Sequence, residues 1–178
     1  RTKAKSGGTM STRIMVLGLG NALNGDDGLG FYAVRDLHRE DWPADIRFVH
    51  RTEFDQNPLF FEGCQGLLLL DAVRCGNEPG AVYTYDQEEL QQCRTSLRSP
   101  WILDAVAFSS VFSDGLRMQL VGIEPESTEC RVCLTPAVSS AYSAFLQAAR
   151  SGIRTMLDRV RESGIDDAGA GRKAASGR

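Results

Sequence analysis

The chain has no phosphate-binding signature. It has no Gly-Lys-Ser or Gly-Lys-Thr, so a P-loop is excluded. Histidine is scarce, with only His38 and His50 among 178 residues. No apolar run approaches the roughly 20 residues that span a bilayer, so no membrane partner is expected. Lys and Arg number 20 against 23 Asp and Glu, a net charge of −3, without the basic stripe that a nucleic-acid partner requires. Residues 1–9 are basic and polar but lack the apolar stretch of a secretory signal. Five cysteines, an odd number, argue against a disulfide framework and for a reducing, cytoplasmic setting. Cys130-Arg-Val-Cys133 has C-x-x-C spacing but no second ligand pair for zinc, and reads as two unpaired thiols on a loop.

What remains is enough for one domain. The hydrophobic share of 42% suffices for a core at this length. Residues 12–165 are expected to form that domain, between a disordered leader over 1–11 and a disordered tail over 166–178 that is poor in apolar residues. No internal repeat is present. Apolar runs alternate with helical patterns. Arg13–Leu17, Ile46–His50, Leu67–Leu70, Ala81–Tyr85 and Arg117–Ile123 read as strands. The Leu67–Leu70 run is apolar on both faces, as a central parallel strand should be. The segment from about Gly28 to Arg39 reads as a helix with Leu29, Ala33, Val34 and Leu37 on one face. Pro58–Cys64, Gln87–Arg94 and Trp101–Phe112 are shorter helical candidates. Thr135-Pro136 gives an N-cap and an N1 proline for a long helix carrying Val138, Tyr142, Phe145, Ala149, Ile153, Met156 and Val160, with Gly152 as a weak point. The order predicts an α/β fold, a three-layer sandwich around a twisted, mostly parallel five-stranded sheet.

The chemistry is expected in the turn after the first strand. Gly18-Leu-Gly-Asn-Ala-Leu-Asn-Gly-Asp-Asp-Gly-Leu-Gly30 runs from strand to helix, where open α/β sheets place ligands. A dinucleotide is disfavoured, because the third glycine of G-x-G-x-x-G is Leu23 and no acid ends the second strand. Asp26 and Asp27 stand where a phosphate would sit and would repel it. One of the two can serve simply as a helix cap. Asp71 ends the third strand, and neighbouring first and third strands bring it to face Asp27 across the switch-point crevice. Two converging carboxylates favour a metal ion or a shared proton.

These residues resemble the maturation endopeptidases of nickel–iron hydrogenases. The likeness spans roughly Arg13 to Arg161. It rests on Leu17-Gly-Leu-Gly-Asn-Ala-Leu-Asn-Gly-Asp-Asp-Gly-Leu-Gly30, Leu70-Asp-Ala-Val-Arg74 with Pro79-Gly80, Val121-Gly-Ile-Glu-Pro-Glu-Ser127 and Leu134-Thr-Pro-Ala-Val138. The resemblance implies an endopeptidase that removes a C-terminal extension from a hydrogenase large-subunit precursor once nickel is in place. It implies that the nickel belongs to the substrate, that the enzyme needs no tightly bound cofactor of its own, and that the enzyme is a monomer. By the same resemblance Asp27 and Asp71 dock the metal and act in catalysis. Gly18, Gly20, Asn21, Gly25 and Asp26 shape the substrate loop, with Arg51, Thr52 and Trp101 beside the peptide.

Two positions depart from the family pattern. Trp101, in Arg98-Ser-Pro-Trp101, stands where the family has a metal-binding histidine, and indole offers no lone pair to a metal. Val49-His-Arg-Thr52 replaces an Asp-Gly-Gly-Thr loop. Three readings follow. His50, at the carboxyl end of the second strand, replaces the missing imidazole. Alternatively, the two carboxylates suffice, either by docking a nickel already held by substrate thiolates or by sharing a proton and activating water. In the third, the protein binds a hydrogenase subunit without cutting it, and Trp101 fills the pocket.

Overall fold

The computed structural model describes residues 13–93, 99–111 and 116–173. The leader expected over 1–11 lies outside the described residues. Among the described residues, five strands form one sheet: β1 (Ile14–Leu19), β2 (Ile46–Arg51), β3 (Gly66–Ala72), β4 (Val82–Asp86) and β5 (Arg117–Ile123). Their order across the sheet is β2-β1-β3-β5-β4. The first four in that row are parallel, and β4 joins β5 antiparallel at the edge.

The helices are α1 (Leu29–Leu37), α2 (Gln87–Cys93), α3 (Pro100–Val111) and α4 (Pro136–Lys173), with short 3-10 turns at Gly25–Gly28 and Pro58–Phe61. The alternation of strand side chains decides where they pack. Ile14, Val16, Leu68, Leu70, Val121 and Ile123 face the layer of α1 and α4. Met15, Leu17, Leu67, Leu69, Met118 and Leu120 face Phe54, Phe61, Leu90 of α2 and Ile102 of α3. Both faces of the central strands are therefore covered, which is why they read as unbroken apolar runs. The result is the three-layer α/β sandwich expected from the sequence.

The two longer amphipathic patterns form as their spacing predicts. Leu29, Ala33, Val34 and Leu37 are buried on α1, and Trp42 Nε1 donates to the Leu37 carbonyl at the end of the helix. On α4, Val138, Phe145, Ala149, Ile153, Met156 and Val160 are buried. Gly152 is no weak point: a Cβ there would stand 3.2 Å from Leu68 Cδ1, so the small residue lets α4 lie close on β3. The helix also passes Ile165 and runs to Lys173, into the segment expected to be a disordered tail. Once a helix is nucleated each added residue brings its own hydrogen bond, so a polar sequence can prolong it. No helix among the described residues is long and apolar enough to cross a membrane.

Candidate functional site

The carboxyl ends of β1, β3 and β5 open on one edge of the sheet, and two loops meet there. The first follows β1. It turns at Gly20, whose φ of +107° is left-handed, and a Cβ there would stand 1.9 Å from the Asp27 carbonyl oxygen. Gly18 and Gly30 are also close: a Cβ on Gly18 would stand 2.2 Å from the Gly30 carbonyl oxygen, so the start of α1 packs directly on β1. The Asn21 N–H donates to Asp27 Oδ2 at 2.8 Å, which fixes the half-buried carboxylate.

Asp26 points into the protein. It is 0% exposed and accepts four hydrogen bonds: from the N–H groups of Glu126, Ser127 and Thr135, and from the Thr135 hydroxyl. The sequence counts Asp26 with the substrate loop; its side chain faces the interior and its role there is structural. Asp26 ties that loop to the second loop, between β5 and α4. Further ties are the Arg131 N–H to the Leu23 carbonyl and the Gly25 N–H to the Arg131 carbonyl, both 2.8 Å.

Between the loops lies a cleft of about 300 Å³ lined by Asn24, Asp27, Asp71, Arg74, Ser99, Trp101 and Thr128, among others. Asp71 sits near the end of β3, paired in register with Gly122, and is 1% exposed. The Ser99 hydroxyl, just ahead of α3, donates to Asp71 Oδ2 at 2.8 Å. Burial pushes the Asp71 carboxyl up to about 7; Ser99 pulls it back, and the charge of Asp27 raises it again. The loop after Asp71 is anchored by Glu124, which accepts from the N–H groups of Cys75, Gly76 and Asn77 and from the Tyr83 hydroxyl. Burial pushes Glu124 up, but these donors outweigh it and hold its carboxyl below the usual range.

The raised value of Asp71 has a consequence for stability. The folded chain holds this proton more tightly than the unfolded chain, so folding takes up a proton between about pH 4 and 7. The contribution of Asp71 to stability is most favourable below that window. It falls as pH rises through the window, by an amount on the order of 4 kcal/mol, and is flat above it. Asp71→Asn removes the charge while keeping an acceptor for Ser99. In thermal melts the variant should be more stable than wild type at pH 8, with the gap closing towards pH 4; a gap independent of pH would show that Asp71 titrates normally.

The structure gathers Asp27, Asp71 and Trp101 at one cleft, and His50 elsewhere. β2 and β3 flank β1 on opposite sides, so about 10 Å of sheet separates their ends. His50 Nε2 donates to the Gly20 carbonyl at 2.7 Å, and its ring packs edge-on against Phe31. It braces the turn that carries Asp27. Among the described residues no group of three His, Cys, Asp or Glu side chains is placed to hold a metal. Arg51 and Thr52 are exposed and do not line the cleft, and the Arg51 guanidinium lies over the Phe60 ring. Trp101, half-buried, packs against the core layer that holds Leu69 and Ile102 and forms one wall.

Sequence reasoning passed over Ser99, Arg74 and Thr128. Ser99 precedes a proline and looks like an ordinary helix start. Its position in the fragment Ser99-Pro-Trp101 was the one available signal. Arg74 follows Asp71 by three residues and donates to Thr128 Oγ1 at 3.5 Å across the cleft mouth.

Comparison with known proteins agrees with this architecture. A family model described as hydrogenase maturation protease (HycI) matches residues 53–151, a stretch that includes Asp71, Ser99 and Trp101. The chain is 29% identical over 165 residues to the hydrogenase 2 maturation protease of Escherichia coli, covering 86% of this chain and 94% of that protein. Its structure resembles that of the hydrogenase maturating endopeptidase HybD of E. coli, with a TM-score of 0.65 and 28% identity over 85% of this chain and 94% of the other. The [NiFe] hydrogenase maturation protease HybD of Thermococcus kodakarensis shares the fold, with a TM-score of 0.64 and 22% identity over 78% of this chain and 97% of the other.

Proposed function

Because the chain belongs to the hydrogenase maturation protease family, we propose that it is an endopeptidase that removes the C-terminal extension of a nickel-loaded hydrogenase large-subunit precursor. The observation that carries this reading is the pairing of Asp27 and Asp71 in one cleft. Two carboxylates are hard donors and make a poor resident site for a soft ion by themselves. They suit brief docking onto a nickel that the substrate already holds, the metal being substrate and not cofactor. The ion would be held with Asp27 at the open side and Asp71 at the buried side.

The raised Asp71 supports a second role for the same pair. A carboxyl that titrates near 7 can release or accept a proton at working pH, as a general base for water or a general acid for the leaving amine requires. The Ser99 hydroxyl holds Oδ2 of Asp71 and so orients the carboxyl in the cleft. Arg74 and Trp101 line the same cleft, and in this reading they would meet the substrate peptide.

Trp101 also favours an alternative, a relative that docks the subunit without cutting it. One experiment separates the two. The purified protein is incubated with its nickel-loaded precursor, and the large subunit is weighed by mass spectrometry. A product shortened at its C-terminus is expected. Retained binding with no product would overturn the protease reading in favour of docking.

A further inference from the structure

The C-x-x-C pair is the one sequence motif that the cleft chemistry does not use. Cys130 and Cys133 are both exposed, on the β5–α4 loop whose Pro125 and Thr128 line the cleft. The chain bends at Cys130, Val132 and Cys133, on either side of Arg131, which bridges to Asn24. The two residues between them are not loose. The Arg131 N–H donates to the Leu23 carbonyl, the Arg131 carbonyl accepts from the Gly25 N–H, and the Val132 carbonyl accepts from the Tyr32 hydroxyl. Every one of these partners belongs to the Asp27 loop or to α1 behind it.

We propose that Cys130 and Cys133 form a redox-modifiable dithiol, oxidised to an intrachain disulfide by a small-molecule disulfide, and that the Asp27 loop registers the change. The chemistry balances by two exchanges. One thiolate attacks a sulfur of the small-molecule disulfide, forming a mixed disulfide and releasing the first thiol. The other protein thiolate attacks the protein sulfur of that intermediate, closing the ring and releasing the second thiol. The protein loses two electrons and two protons, and the reagent is reduced to two thiols that carry them away.

Among the cysteines whose side chains are described, position makes this pair the selective target. Cys64 is half-buried, and burial pushes its thiol up, away from the reactive thiolate. Cys75 is half-buried with its sulfur 3.9 Å from the Tyr85 hydroxyl. Closing a ring across Arg131 and Val132 constrains their backbone to disulfide geometry. That backbone is what holds Leu23 and Gly25, the residues on either side of Asn24 in the cleft wall.

The test uses the full chain and oxidised glutathione, with no hydrogenase substrate, so its outcome is independent of the protease reading. Trypsin cuts after Arg131, between the two cysteines. In the oxidised, denatured and digested protein the two fragments should stay joined, and dithiothreitol should separate them. Cys130→Ser and Cys133→Ser should each stop at a single mixed disulfide with glutathione. Native hydrogen exchange at the Gly25 and Arg131 amides should change by about tenfold on oxidation and revert on reduction. Two separate glutathione adducts on wild type, or a bridge to another cysteine, would overturn the dithiol. A bridge that leaves both amides unchanged would overturn the coupling to the Asp27 loop.

Discussion

Asp71→Asn lowers precursor processing by about 10²–10⁴-fold, the range expected when a proton-transferring group is removed. The substitution keeps the shape of the side chain and its contact with the Ser99 hydroxyl. It removes the negative charge that would meet the nickel and the proton that would shuttle near pH 7. Asp27→Asn has a comparable effect through the docking half of the pair. Both variants fold, and Asp71→Asn is the more stable protein at pH 8, because wild type must keep a buried carboxylate ionised there. The combination of lost activity and gained stability identifies a group held in place for chemistry. Initial rates of precursor cleavage, measured beside thermal melts, check both halves. A variant that processes the precursor at the wild-type rate would remove Asp71 from the mechanism.

Asp26→Ala has the opposite profile, and it is the largest loss of stability expected in this chain. The carboxylate accepts from three backbone N–H groups and one hydroxyl, all in the β5–α4 segment. Truncation leaves these donors facing a cavity. Each buried unsatisfied group costs about 1–3 kcal/mol, and partial relaxation or entry of water brings the total to about 4 kcal/mol. At this chain length that is a fall in melting temperature of about 10 °C. Asp26→Asn recovers little, because its NH₂ must face N–H donors in place of an oxygen. Adjacent residues thus divide the work: Asp26 governs whether the two loops hold together, and Asp27 what they do. Chemical denaturation of Asp26→Ala and Asp27→Ala tests the division. A loss below about 1 kcal/mol for Asp26→Ala would show that the loops are held by other means.

The difference between these two aspartates was only partly legible. That one of the pair would be structural follows from where helix starts place carboxylates, but the partners of Asp26 lie about a hundred residues downstream, beyond any local pattern. The central strands were legible because burial on both faces leaves an unambiguous apolar run, and Leu67–Leu70 is such a run. Strand order also brings Asp27 and Asp71 together, since β1 and β3 are neighbours. The same order separates His50: it ends a strand beside β1, but on the side away from Asp71. Adjacency to one member of a pair says nothing about reach to the other. Ser99 was illegible for a simpler reason. A serine before a proline caps helices far more often than it holds a carboxylate, and only the fold brings it to the end of β3.

The central claim is that this cleft reads a nickel held by its substrate and then cuts the chain that carries it. The most direct measurement is a parallel processing assay on one large-subunit precursor, prepared with nickel and without. The expected result is C-terminal shortening of the nickel-loaded precursor only, lost in Asp27→Asn and in Asp71→Asn. Equal cleavage of both precursors, or of neither by the wild-type protein, would contradict it.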